Sequence, residues 1–144
     1  MILEKSDIRH ILPQAEPFLL IDRAEITEAS AIRAEVFLDP AWEIFQAHFP
    51  GYALLPGVYL TESMAQTADL LLLTRPGNQG KLPLFLGISR MRFLRPAYPG
   101  DTLILSAAIK QEAGSGMYDC RVSASIHGKT AAAGEISLAL KEHP

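Results

Sequence analysis

The chain has 144 residues, of which 49% are hydrophobic and 20% charged, a composition typical of one folded domain rather than of a disordered chain. Its net charge of −3 argues against a nucleic-acid-binding protein, and its single cysteine excludes both an internal disulfide and a cysteine-cluster zinc site. No apolar run approaches the roughly 18 residues that a membrane helix needs, and the first residues lack the pattern of a secretory signal. We therefore expect one domain over residues 1–144, located in the cytoplasm.

The first part of the chain predicts a short helix, two antiparallel strands and a long loop. Apolar residues at helical spacing indicate a helix over 5–12, which Pro13 ends. Leucine and isoleucine are frequent over 18–26, and apolar residues alternate with charged ones over 31–38, so both segments are typical of strands. Prolines and a glycine cluster over 39–56, which predicts an irregular loop there.

The rest of the chain predicts one long helix followed by four strands. Pro56 suits the first turn of a helix, and 57–73 then supply about five turns with a broad apolar face. After this helix the hydrophobic pattern has a period of two, which indicates four strands. The predicted strands are 84–94, 103–109, 117–126 and 130–140. This order of elements predicts an α+β chain with about six strands, in which one curled sheet buries the long helix.

Residues near the start of the long helix are candidates for chemistry. His48 lies in the loop just before it, where two prolines and a glycine restrict the backbone, although a purely structural histidine is the alternative. Glu62 lies in the second turn, where a carboxylate also interacts favourably with the helix dipole. If its mostly apolar neighbours shelter it, its pKa rises and it can stay protonated as a general acid. Gly57 and Val58 present free N–H groups, which can hold a carbonyl oxygen that becomes negative during a reaction.

Three blocks of the sequence follow one another in an order that is typical of one enzyme family. The blocks are Leu12-Pro13 with Pro17-Phe18-Leu19-Leu20-Ile21-Asp22-Arg23; His48-Phe49-Pro50-Gly51 with Leu55-Pro56-Gly57-Val58 and Glu62-Ser63-Met64-Ala65-Gln66; and Arg92-Phe93 with Arg95-Pro96 and Pro99-Gly100-Asp101. Together they resemble the 3-hydroxyacyl-[acyl carrier protein] dehydratases of the FabZ type. The resemblance covers most of the chain.

The resemblance implies a hotdog fold, in which a curved antiparallel sheet wraps the long helix, and a homodimer with shared active sites. His48 of one protomer would take a proton from C2 of a 3-hydroxyacyl thioester, and Glu62 of the other would protonate the departing C3 hydroxyl. The product would be the trans-2-enoyl thioester. Gly57, with Val58, would hold the thioester carbonyl, and Gln66 would orient Glu62 from one turn away. The reaction requires no metal and no cofactor, and the sequence does not decide between a dimer and a hexamer of three dimers.

A basic stretch after the long helix predicts a surface for the substrate's carrier. Over 81–100 the chain has basic residues and no acidic one, and Arg90 and Arg92 share a face of the predicted strand. Such a surface would speed and orient the docking of an acidic acyl carrier protein with its phosphopantetheine-linked acyl chain, although a solvated strand face is the alternative. We expect Phe49 and Phe85 to line the core or the substrate tunnel. The four basic residues are Lys81, Arg90, Arg92 and Arg95.

The sequence departs from the family pattern at a few positions. Gln14-Ala15-Glu16 replaces a His-Arg-aromatic stretch, Ala47 replaces a glycine, and Leu84 stands about where many relatives have an aromatic residue that gates the tunnel. None of these changes removes a catalytic group, but the preferred acyl-chain length is not predicted. Asp69, further along the long helix, is expected to be solvated or to lie at an interface.

Two alternative functions stay open. One is a hotdog thioesterase or a coenzyme A-dependent hydratase, because the fold serves several thioester chemistries. The other is a noncatalytic protein that binds a carrier protein. The combination of His48 with Glu62 argues against both.

Overall fold

A computed structural model describes all 144 residues, and its strands form one seven-stranded antiparallel sheet. The elements are β1 (Ile2–Leu3), α1 (Lys5–Ile11), β2 (Arg23–Glu28), β3 (Ala31–Phe37), α2 (Ile44–Ala47), α3 (Gly57–Leu73), β4 (Leu82–Phe93), β5 (Thr102–Ala113), β6 (Met117–Ile126) and β7 (Lys129–Lys141). The strands lie in the order β1-β2-β3-β5-β6-β7-β4, so β1 and β4 are the two edges. The predicted α+β class is confirmed, with one strand more than predicted.

Helix α3 packs against the face of the sheet formed by β3, β5 and β6. Every residue from Leu60 to Leu73 is buried except Glu62. Three hydroxyl groups in this buried helix donate to the carbonyl oxygen four residues earlier, which satisfies them locally. The first turn of α3 and Glu62 are therefore the parts of the helix that remain open to a ligand. None of the helices has the length and apolarity that crossing a membrane requires.

The central strands alternate between an apolar face towards α3 and a more polar outer face, as the predicted period of two requires. The only thiol of the chain, Cys120, lies on the inner face of β6, and burial raises its pKa to about 12. The inner face consists of Ile32, Ala34 and Val36 on β3, Leu103, Leu105 and Ala107 on β5, and Cys120, Val122 and Ala124 on β6.

The segment before β2 differs from the sequence prediction. The strand predicted over 18–26 begins only at Arg23, and residues 12–22 have no regular secondary structure. We call residues 12–22 the crossing segment, because their contacts with Gln66 hold them against α3. The crossing segment buries its apolar residues 19–21 consecutively rather than alternately. An apolar run of this length resembles a strand in the sequence, although here the N–H of Leu20 donates to the side chain of Gln66 and that of Leu19 to the carbonyl of Ala15.

The remaining boundaries differ in smaller ways. The loop predicted over 39–56 contains the short helix α2, and the two-residue strand β1 was not predicted. Strand β5 extends to Ala113, beyond the predicted end, because its pairing with β6 continues after a register shift between Ile109 and Gln111. The bounds of α3 and β6 coincide with the prediction.

Strand β4 is an apolar edge that is open to solvent in the single chain. It pairs with β7 on one side and has no neighbour on the other. Phe85, expected in the core or tunnel, is 43% exposed, and Phe49, in the loop before α3, is 51% exposed. Exposed edges of this length and composition pair with other chains unless they are covered. The exposed apolar side chains on β4 are Leu84, Phe85, Leu86, Ile88 and Phe93.

Candidate active site

His48 follows the last residue of α2, and a backbone carbonyl fixes its ring. The backbone N–H of His48 donates to the carbonyl of Ile44 at 2.9 Å, and Nδ1 lies 2.9 Å from the carbonyl oxygen of Leu54. Because a carbonyl oxygen can only accept, the hydrogen of the neutral ring is assigned to Nδ1. Nε2 is then the unprotonated nitrogen, which can act as a base.

The loop that carries His48 is tied together by its own backbone. Phe49 and Tyr52 exchange two backbone hydrogen bonds of 2.7 and 2.8 Å, and Gly51 between them has a φ of +82°, which a side chain would strain. The His48–Phe49 peptide bond is cis, and the two rings stack with centroids 3.9 Å apart. The hydroxyls of Tyr52 and Tyr98 lie 2.8 Å apart, which joins this loop to the segment after β4.

The first turn of α3 borders a small apolar cleft of about 230 Å³. The N–H groups of Gly57 and Val58 have no partner within the helix, because they belong to its first turn. A Cβ atom on Gly57 would lie 3.2 Å from Cε1 of Phe93, so a glycine lets this ring pack directly against the helix start. Val58 is 73% exposed. The cleft is lined by Leu54, Leu55, Gly57, Leu60, Phe93, Leu94, Arg95 and Pro96.

Glu62 is half-buried, and its surroundings favour the protonated form. Burial raises the pKa of Glu62, and a hydrogen bond from Gln66 opposes this rise. Gln66 Nε2 donates to Glu62 Oε1 at 3.4 Å and to the carbonyl of Phe18 at 2.7 Å, while its Oε1 accepts from the N–H of Leu20 at 2.9 Å. The predicted contact between Gln66 and Glu62 is therefore present. Gln66 also connects Glu62 to the crossing segment.

His48 and Glu62 make no hydrogen bond with each other in the single chain. The ring of His48 is held by Leu54, at the cleft side of the helix start, and the carboxyl of Glu62 is held by Gln66, beside the crossing segment. One chain thus contains a base with a free nitrogen and a carboxyl group that favours its protonated form. Different residues hold these two groups. Both groups suit proton transfer.

The basic residues of β4 lie on the outer face of the sheet. Arg90 and Arg92 line a groove of about 480 Å³ there, together with Arg33 of β3 and Arg121 of β6. Residues of β5, β6 and β7 also line this groove, among them Glu135, which forms an ion pair with Lys110; none of the four arginines forms an ion pair. Arg33 and Arg121 were not identified from the sequence, because only the folded sheet brings them to the same groove as Arg90 and Arg92.

The other two predicted basic residues lie elsewhere. Arg95 lines the cleft that Gly57 borders. Lys81, just before β4, forms an ion pair in which its Nζ lies 3.8 Å from Oε1 of Glu142. The four basic residues therefore occupy three places rather than one continuous patch. Arg95 is the one that lies beside the first turn of α3.

Asp69 is buried, which corrects the expectation that it is solvated or at an interface. Asp69 is 3% exposed, and Nε2 of Gln14, in the crossing segment, donates to Asp69 Oδ2 at 3.2 Å. Burial raises the pKa of Asp69 to about 7. The sequence prediction was wrong because it did not foresee that the crossing segment covers this part of α3.

Comparison with known proteins places the chain in one group of enzymes. Residues 24–135 match the model of the ApeI-like family, described as ApeI dehydratase. A protein of Ruminiclostridium cellulolyticum named 3-hydroxyacyl-[acyl-carrier-protein] dehydratase FabZ is 38% identical over 140 residues, covering 96% of this chain and 98% of the relative. The protein of that name from Listeria welshimeri is 36% identical over 144 residues, 99% of each chain.

The fold is also similar to that of solved structures. A chain of the dehydratase heterocomplex ApeI:P from Xenorhabdus doucetiae superposes with a TM-score of 0.79 at 16% sequence identity. The match covers 94% of this chain and 91% of that one, so the two share the fold over nearly their full lengths.

Proposed function

The chain belongs to the FabZ-type hotdog dehydratases, and we propose from this that it converts a 3-hydroxyacyl thioester into the trans-2-enoyl thioester and water, in the synthesis of fatty acids or related acyl chains. Relatives named 3-hydroxyacyl-[acyl-carrier-protein] dehydratase FabZ match 96–99% of the chain at 36–38% identity. The observation on the site that carries the proposal is that the chain offers both a base and an acid. His48 has a free ring nitrogen, and Glu62 has a raised pKa.

In the proposed mechanism His48 is the base and Glu62 is the acid. Nε2 of His48 removes a proton from C2, whose acidity depends on negative charge moving onto the thioester oxygen. The N–H of Gly57, with that of Val58, stabilises this oxygen at the start of α3. The C3–oxygen bond breaks as Glu62 gives its proton to the hydroxyl, and water leaves. The protonated imidazole and the carboxylate then return to their initial states by exchanging a proton through solvent.

We also propose that the working unit is a homodimer that combines His48 of one protomer with Glu62 of the other. Two observations support this arrangement. The two groups have separate supports and no mutual hydrogen bond in one chain. Strand β4 leaves a long apolar edge uncovered, which a second copy can pair with and bury.

The proposed substrate carrier is an acyl carrier protein that presents the acyl chain on phosphopantetheine. Arg95 supports this proposal, because a guanidinium beside the cleft at Gly57 can attract an acidic protein or a phosphate to the entrance. The names of the relatives do not favour a thioesterase, a coenzyme A hydratase or a noncatalytic binding protein. We therefore retain dehydration of a carrier-bound thioester as the function.

The test is water loss from a 3-hydroxyacyl thioester on acyl carrier protein, followed by the absorbance of the enoyl product. We expect His48→Ala and Glu62→Gln each to lower turnover by about 10²–10⁴, the usual contribution of a positioned acid or base. His143→Ala is the matched control, because His143 is exposed near the C-terminus.

Two results would contradict the proposal. Near-normal turnover in either site variant would remove that residue from the mechanism. Release of free carrier thiol without an enoyl product, by the wild type, would identify a thioesterase instead.

A further inference from the structure

The crossing segment is attached to α3 by side chains at two successive levels of the helix. At the first level Gln66 bonds to the backbone of Phe18 and Leu20. At the second level Asp69, on the next turn, meets the side chain of Gln14. The proposed mechanism uses Glu62 and places Gln66 beside it, but it assigns nothing to Gln14 or Asp69.

The hydrogen bonds at the second level are incomplete if Asp69 is ionised. Gln14 Nε2–H donates to Asp69 Oδ2 at 3.2 Å. The other two polar atoms of the pair, Gln14 Oε1 and Asp69 Oδ1, are the buried side-chain atoms of the chain that have no hydrogen-bond partner. An amide oxygen and a carboxylate oxygen both accept and cannot donate, so neither can satisfy the other. An ionised Asp69 would therefore leave two buried acceptors and a buried charge without compensation.

One proton on Asp69 satisfies both orphaned atoms. A protonated carboxyl has a donor on one oxygen and an acceptor on the other, which complements the donor and acceptor of a primary amide. We propose that Gln14 and Asp69 form a neutral acid–amide pair, with Gln14 Nε2–H donating to Oδ2 and Oδ1–H of Asp69 donating to Gln14 Oε1. The pair closes a ring of two hydrogen bonds between the crossing segment and α3.

The electrostatic surroundings of Asp69 support this protonation state. Burial is the largest cause of the raised pKa of Asp69, and it outweighs the hydrogen bond from Gln14, which lowers that pKa. The titratable groups that interact with Asp69 are Glu62 and Cys120 of β6, whose own pKa is raised by burial and by Asp69. No cation is close enough to Asp69 to form an ion pair, so only the hydrogen bond from Gln14 offsets part of the cost of ionisation.

The pair makes Asp69 and Gln14 positioning residues for Glu62. They hold one end of the crossing segment, the backbone of Phe18 and Leu20 in that segment holds Gln66, and Gln66 donates to Glu62. This second step depends on the proposed function, because it matters for turnover only if Glu62 is the acid. The protonation of Asp69 is independent of that function and is tested separately.

The first experiment is infrared difference spectroscopy of wild type against Asp69→Asn at about pH 5, below the raised pKa and above the ordinary carboxyl value. We expect the difference spectrum to contain a carbonyl band from protonated Asp69, because the signal of Glu62 is common to both proteins and cancels. This band should disappear as the pH rises past the pKa of Asp69. A carboxylate signal at this pH would overturn the proposal. That result would mean that a buried water satisfies the two oxygens while Asp69 stays charged.

The second experiment follows thermal unfolding of the same two proteins against pH. The folded chain holds the Asp69 proton up to about pH 7, whereas the ordinary value for the unfolded chain is 3.8. As the pH rises between these values, the unfolded state releases the proton first, so the wild type loses stability. The asparagine amide can form the same two hydrogen bonds without titrating. We expect the unfolding midpoint of the wild type to fall relative to Asp69→Asn across this window, and a constant difference would overturn the proposal.

Kinetics test the positioning role. We expect kcat to fall about tenfold in Gln14→Leu and Asp69→Ala with KM nearly unchanged, because Glu62 is displaced while the cleft is intact. Asp69→Asn restores the pair and should restore kcat. Equal kcat in all three variants would overturn the positioning role. An inactive wild type would refute the proposed function but would leave the infrared and unfolding results valid.

Discussion

Every polar atom of the Gln66 side chain has a hydrogen-bond partner although the residue is fully buried. Its two amide hydrogens go to Phe18 and Glu62, and its oxygen accepts from Leu20. Burying the amide of Gln66 has an unfavourable desolvation free energy, which these three hydrogen bonds offset. The residue therefore supports the fold of the crossing segment and the orientation of the proposed acid together.

We expect Gln66→Leu to destabilise the chain by about 1–3 kcal/mol, because the buried N–H of Leu20 loses its acceptor. The carboxyl of Glu62 also loses a hydrogen bond that lowers its pKa, so that pKa should rise further. Urea unfolding measures the stability change. Gln79→Leu is the matched control, since Gln79 is exposed and makes a single hydrogen bond to the carbonyl of Arg75. Equal losses in the two variants would show that the hydrogen bonds of Gln66 add nothing.

For single residues, the sequence predicted which side chains are catalytic candidates but not which partners position them. The surroundings of His48 and Glu62 in the sequence were sufficient to identify both as candidates. The carbonyl of Leu54 that fixes the ring of His48 depends on the loop conformation, which residue patterns do not determine. The burial of Asp69 depends on a residue 55 positions away in the chain. Contacts of this range are decided by the tertiary fold.

Among the elements, the edge strand β4 is the one that most clearly needs a covering partner. It has twelve residues, pairs with β7 alone, and exposes apolar side chains such as Leu86 and Ile88. A soluble chain usually protects such an edge with charges, a bulge or a cover. Each half of β4 has a register shift, but the arginines occur only in the second half and the first half has no charged residue. The proposed dimer interface is therefore assigned to this strand.

We expect Ile88→Lys to separate the proposed dimer, because a lysine charge would be buried without a partner against apolar side chains. Sedimentation equilibrium should give the monomer mass, and dehydratase turnover should fall at least about tenfold as the shared sites are lost. Met117→Lys is the control, because Met117 is 44% exposed on another strand. An Ile88→Lys protein that remains associated and fully active would exclude β4 from the interface.

The elements also show where sequence patterns suffice. The bounds of α3 were predicted correctly because Pro56 marks its beginning and a Pro-Gly pair follows its end. The bounds of β6 were correct because apolar and polar residues alternate through most of it. Residues 18–22 of the crossing segment were predicted as part of a strand, since consecutive apolar residues do not distinguish a buried strand from a buried irregular segment. Their pairing with Gln66 is a side-chain interaction that no period describes.

For the molecule as a whole, the distribution of charge matters more than its sum. The chain is acidic, with a net charge of −3, yet four arginines without ion pairs line a groove on the outer face and Arg95 borders the cleft. An acidic carrier protein would be repelled by the average charge and attracted by these positive regions. Local attraction of this kind mainly increases the rate of encounter and fixes the orientation of the partner.

We expect Arg95→Glu to raise KM for a carrier-bound substrate by about tenfold and to leave KM for a small soluble thioester nearly unchanged. The reason is that only the carrier protein presents an extended acidic surface to the mouth of the cleft. Steady-state kinetics with both substrates provide the measurement. Lys129→Glu is the control, because it makes the same charge change at an exposed residue without an ion pair. Equal effects of Arg95→Glu on both substrates would argue against docking at this residue.

The burial of Cys120 has a practical consequence for labelling. Its thiol is inside the sheet and its pKa is raised to about 12, so it has almost no thiolate to react with alkylating reagents near neutral pH. The chain has no other cysteine. A cysteine introduced at Val58, which is 73% exposed in the first turn of α3, would therefore take up a fluorophore or spin label selectively. Such a probe would report the arrival of a carrier protein directly at the helix start.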